Sequence, residues 1–131
     1  MQSALSLGAG FCFIGVLAGA LGSHALKDIL LREGGTRLFD LASDYMFYHG
    51  LALMAVGLLK YRFANLPFQY AFWFFVAGSI FFQGNLFLIS LTGIRTFQML
   101  TPAGGLLLMM GWGALVIISL KISGNKSSGC P

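Results

Sequence analysis

Apolar residues run in four stretches of membrane length, with charged or turn-forming residues between them. Residues 5–26, LSLGAGFCFIGVLAGALGSHAL, hold no Asp, Glu, Lys or Arg and are followed at once by Lys27 and Asp28. Residues 38–59, 68–91 and 101–120 make three more stretches, divided by KDILLREGGTR at 27–37, Asn65-Leu66-Pro67 and Thr92-Gly93-Ile94-Arg95. At 1.5 Å per residue each gives a helix of roughly 30 to 36 Å, enough to cross a hydrocarbon core of about 30 Å. The pattern predicts an all-α membrane protein of one domain, a four-span antiparallel transmembrane helix bundle. Thr101-Pro102 reads as an N-cap followed by proline at the first helical position, and residues 121–131 as a flexible polar tail. The run around Gly34-Gly35 predicts a loop with a short interfacial turn.

Two patterns inside the stretches carry more than hydropathy. Gly8, Cys12, Gly15, Gly19 and Gly22 are spaced 4, 3, 4, 3, which puts five small side chains on one helix face. Such a face admits a second helix backbone, from within the bundle or from another copy. The second stretch places Asp44, Tyr45 and His49 in its first half, and Ala42, Tyr45, His49, Ala52 and Val56 share one face. The third stretch runs antiparallel to it, so Gln83 and Asn85 lie towards the same side, and Thr101 closes that side. Counted along the helices, His49 lies roughly 13 Å from its end and Gln83 about 12 Å from the matching one. His49 is therefore expected to be buried, neutral and hydrogen-bonded to Gln83 or Asn85, since an amide serves either ring nitrogen. The expected site is a polar layer of Asp44, Tyr45, His49, Gln83, Asn85 and Thr101. Its groups either bond one another or line a cavity for a proton, a small polar solute or a lipid headgroup. Asp40 and Asp44 share a face, where Arg37 one turn earlier is placed to compensate them.

Composition agrees with the pattern. Of 131 residues, 57% are hydrophobic and 9% charged, far from the soluble average of about 25% charged. Mean hydropathy is +0.83. The net charge of +4 comes from eight Lys and Arg residues scattered singly, which excludes a nucleic-acid face and leaves the lipid bilayer as the first partner. Ala18-Gly19-Ala20 resembles a signal-peptidase site, but no basic segment precedes it and the apolar run continues past it. Four spans put both termini on one side, with Lys60, Arg62, Lys121 and Lys126; the other side holds as many basic residues, Lys27, Arg32, Arg37 and Arg95, but there the acids Asp28, Glu33, Asp40 and Asp44 neutralise them. The termini are expected in the cytoplasm.

Several chemistries are excluded by geometry or spacing. His24 sits at a span end and His49 deep within one, so they do not share a haem. Neither has companions at metal-ligand spacing, and Cys12 and Cys130 form no disulfide framework. With no nucleophile beside a base, phosphate loop or catalytic carboxylate pair, the chain is expected to be neither an enzyme nor a cofactor carrier. What remains is an accessory, assembly or interaction protein of a larger membrane complex, using the Phe-rich third stretch or the glycine face. The alternative is a small oligomeric transporter or channel for a proton, ion or small polar solute.

Three motifs then point to a family. They are Gly19-Ala20-Leu21-Gly22-Ser23-His24-Ala25-Leu26, then Leu38-Phe39-Asp40 with His49-Gly50-Leu51-Ala52-Leu53, and Leu91-Thr92-Gly93 with Thr101-Pro102-Ala103-Gly104-Gly105 and Gly111-Trp112. Together they resemble the family catalogued as domain of unknown function 423, with bacterial and animal members, and cover almost the whole chain. The resemblance implies a four-span membrane protein, in bacteria of the inner (plasma) membrane, and no assigned activity. The chain departs from the usual bacterial pattern at Phe81-Phe82-Gln83-Gly84-Asn85, so a role for Gln83 and Asn85 is expected to be peculiar to this branch.

Overall fold

A computed structural model describes residues 2–127, with side chains from 3 to 124. Six α-helices follow one another: α1 (Gln2–Ser23), α2 (Lys27–Arg32), α3 (Thr36–Arg62), α4 (Phe68–Ser79), α5 (Asn85–Thr92) and α6 (Leu100–Ser127). A π-helical turn, Ile80–Gly84, joins α4 to α5 so that Phe68–Thr92 is one rod. Among the described residues there is no strand. Three helices are long and apolar enough to cross a membrane: Ser3–Ser23, Phe68–Thr92 and Leu100–Gly124. The fourth long helix, α3, carries Arg37, Asp40 and Asp44 in its first turns and Lys60 and Arg62 in its last.

Helix α3 is the centre of the structure. It runs antiparallel to α1 on one side, where Gly57 lies near Ala4 and Leu5, Gly50 near Gly8, and Phe39 near Gly22. Its other side faces the Phe68–Thr92 rod, on which α6 packs antiparallel through Gly78, Gly104 and Gly111. Two apolar clusters follow. The larger includes Leu53, Val56, Phe68, Phe75 and Leu108; the smaller joins Ala18, Leu30 and Phe39, with Phe87 edge-on to Phe39 at 5.1 Å. Along α3, the buried polar residues Ser43 and His49 fall between these clusters.

Element ends differ from the sequence expectation in three places. Helix α1 stops at Ser23, short of Leu26, because the chain must reverse there for Leu30 of α2 to bury against Ala18 and Phe39. The expected interfacial turn is that helix, α2, and it closes at Gly34, whose φ of +63° suits glycine alone. Helix α6 runs past Leu120 to Ser127, since no proline interrupts it and one glycine weakens a helix without ending it. The expected tail is thus helical at its start, and residues 128–131 lie outside the described residues. Gly93, with φ of +69°, ends α5 and donates its N–H to the Ile89 carbonyl.

Candidate functional site

His49 is 4% exposed and ringed by three other elements. Its Nδ1 lies 2.8 Å from the Tyr45 carbonyl one turn earlier, and Trp112 of α6 donates its indole N–H to Nε2 at 3.4 Å. An indole is a donor only, so Nε2 must accept and the proton sits on Nδ1, which donates to Tyr45. Gln83 lies against the same Nδ1, its amide nitrogen 3.2 Å away; with the amide turned over, its oxygen becomes a second acceptor for Nδ1–H. The depth match between His49 and Gln83 is thus realised as a contact. Phe75 backs the imidazole at 5.7 Å and Trp112 edge-on at 5.2 Å.

Gln83 is fully buried on the π-helical turn. Such a turn carries an extra residue and recurs at functional positions. Ser79, also buried, has no hydrogen-bond partner for its hydroxyl among the described residues, and one amide atom of Gln83 is likewise unpaired among them.

The remaining members of the expected layer do not join His49. Asn85 donates both amide hydrogens elsewhere, to the Phe97 carbonyl and to Thr101 Oγ1, each at 2.7 Å. Residues two apart on a helix point to opposite sides, so Gln83 and Asn85 cannot serve one site. Asn85 instead pins residues 93–99 and the start of α6. Thr101 lies one residue inside α6 rather than at its N-cap, its hydroxyl taken by Asn85. Asp44 is exposed, and Tyr45 joins through its backbone carbonyl and its ring, not its hydroxyl. Arg37 and Asp40 are both exposed and form no ion pair among the described residues, so the expected compensation is absent. His24 is exposed just beyond α1.

The glycine face is used inside the chain. A Cβ on Gly8 would sit 2.6 Å from the Gly50 carbonyl, and one on Gly15 would sit 2.9 Å from the Ser43 carbonyl. Cys12 donates its thiol to the Phe47 carbonyl at 3.6 Å, and Gly22 faces the Phe39 ring. Gly19 is the exception, with nothing within 4 Å. The seam steps by seven from Gly8 to Gly15 to Gly22, and a straight helix drifts about 20° per step. That drift carries the contact towards buried Ala18 and away from Gly19.

A groove of about 630 Å³ opens beside His49, between α3 and α6. Its walls are the rings of Tyr45, Tyr48, Phe82 and Trp112, and Gly105 lies in its floor. Tyr48, Leu106 and Met109 at its rim are each more than half exposed. Sequence reasoning missed Trp112 and Phe75. The available signal was the Gly104 and Gly111 heptad, which marks the contact line of α6 beside which Trp112 stands.

Comparison with known proteins gives one family and no chemistry. The model described as "Protein of unknown function (DUF423)" matches residues 18–105. A UPF0382 membrane protein of Staphylococcus epidermidis is 36% identical over 124 residues, covering 95% of this chain and all of its own length. Those of Staphylococcus aureus strain RF122 and Staphylococcus saprophyticus are each 34% identical, over 95% and 93% of this chain and all of their own length. No solved structure matches the chain.

Proposed function

The chain belongs to the DUF423 family, and from that premise we propose that it is a four-span, non-catalytic accessory or assembly protein of a larger membrane complex. The fourth span is α3. It lies antiparallel along α1 from Gly57 beside Ala4 to Phe39 beside Gly22, so a bilayer crossed by α1 is crossed by α3 as well. Its exposed acids then cluster at one membrane face and Lys60 and Arg62 at the other. Both termini fall on one side, the cytoplasmic one. Reporter fusions after Lys126 should be active in the cytoplasm; activity only on the far side would overturn this orientation.

The observation that carries the accessory role is the set of glycines the chain leaves unused. Gly10 and Gly19 on α1 and Gly113 on α6 have open space where a Cβ would be. A glycine inside a helix costs about 1 kcal/mol relative to alanine, and small residues facing outward permit close approach of a foreign helix. Extraction in mild detergent should therefore recover a stoichiometric larger membrane protein with the chain, and Gly10→Leu with Gly19→Leu should release it. The alternative, a small oligomeric channel or transporter, is favoured by the buried atoms without a partner among the described residues: Ser79 Oγ, one amide atom of Gln83 and Asn85 Oδ1. Recovery of a symmetric homo-oligomer alone would favour it over the accessory role.

A further inference from the structure

The groove beside His49 carries a hydrogen-bonding pattern that its own walls do not use up. His49 Nε2 is an acceptor, because Nδ1 holds the proton for the Tyr45 carbonyl. Its one donor, the Trp112 indole, is 3.4 Å away, beyond the usual 2.7–3.2 Å of such bonds. The hydroxyls of Tyr45 and Tyr48, both in the groove wall, have no hydrogen-bond partner among the described residues. Away from water, unpaired groups of this kind are costly and call for a polar companion.

Shape narrows the companion. Tyr45 and Phe82 lie nearly ring to ring at 5.2 Å with 32° between their planes, and Trp112 closes the opposite side. Gly105 leaves the floor free: a Cβ there would meet the Phe82 ring at 3.6 Å, an ordinary contact. The rim residues Tyr48, Leu106 and Met109 belong to the outward apolar surface, so a molecule enters from the lipid rather than from water. A flat ring fits such walls, and an apolar tail would remain among the lipid chains.

We propose that this groove binds a membrane-soluble amphiphile with a hydroxylated aromatic ring, of the quinol class, whose O–H takes the single lone pair of His49 Nε2 in place of the long 3.4 Å contact from Trp112. The Tyr45 and Tyr48 hydroxyls are placed to meet the second ring oxygen. The acceptor at Nε2 makes the site selective by redox state, since a quinol has an O–H to give and a quinone has none. One copy of the chain holds the whole groove, so the inference stands apart from any partner protein.

The test uses the purified full chain in phospholipid nanodiscs, titrated with 2-decyl-1,4-benzenediol while tryptophan emission is followed. Trp112 lies in the groove and Trp73 on α4 does not, so Trp112→Phe identifies the responding residue. Saturable binding of the diol is expected, with the dimethyl ether and the corresponding quinone at least about tenfold weaker for want of one hydrogen bond. Gly105→Leu should abolish binding by filling the groove, with thermal stability as the control that it folds. If that variant does not fold, Gly105→Ala, which the 3.6 Å contact tolerates, should weaken binding without loss of stability. Equal affinity for the diol and its ether would overturn the assignment, as would full binding by a folded Gly105→Leu protein.

Discussion

Gly50→Leu is expected to destabilise the protein by about 3 kcal/mol, the upper range for overpacking a close contact. A Cβ at Gly50 would lie 2.6 Å from Cys12 Sγ, 2.7 Å from the Cys12 nitrogen and 2.7 Å from the Gly8 carbonyl. Two of those atoms are backbone, so no rotamer change relieves the clash and α1 must move off α3. The displacement spreads, because Gly8 and Gly15, each about one turn along α1 from Cys12, make the same kind of backbone contact. Thermal unfolding in detergent measures the loss, and Gly19→Leu is the matched control. With nothing within 4 Å of its Cβ position, Gly19→Leu should leave the isolated chain as stable as before. Equal losses for the two variants would mean that the seam is not where the structure puts it.

The second large effect is expected for Phe75→Ala, again about 3 kcal/mol. Phe75 is fully buried and touches two other helices: α3 through His49 at 5.7 Å, and α6 through Trp112 at 5.2 Å and Gly111, where a Cβ would lie 2.7 Å from its ring. In a bilayer the unfolded reference already keeps the ring out of water, so the loss is mainly of dispersion contacts around a cavity that glycine backbones cannot fill. The variant should therefore fall at the lower end of the range known for phenylalanine truncation. It should also quench or shift Trp112 emission, since its edge-on neighbour is gone. Trp73→Ala, at a residue 64% exposed, should change stability little. If both truncations cost the same, Phe75 is not the keystone of the contact between the two helix pairs.

That His49 meets an amide of the third stretch, Gln83 or Asn85, was legible in the chain, whereas the choice of Gln83 and the splitting of the polar layer were not. Depth along a spanning helix is fixed by a rise of 1.5 Å per residue and by where charges stop the span, and both are written in the chain. Apolar run length likewise determined the helical class and the membrane setting. Rotation about each helix axis is another matter. It is set by what the neighbouring helix presents, and a 4, 3, 4, 3 spacing is compatible with more than one seam. Only packing chose Gly8, Gly15 and Gly22 over Gly19, and only packing turned Asn85 towards Phe97 and Thr101 while Gln83 faced His49. The π-helical turn under Gln83 and the arrival of Trp112 at Nε2 belong to the same class. They depend on azimuth and on contacts between residues far apart in sequence, which no local periodicity encodes. The sequence by itself determined the helical class, the membrane setting and the positions of the polar groups along their helices; the tertiary structure decided which of those groups meet.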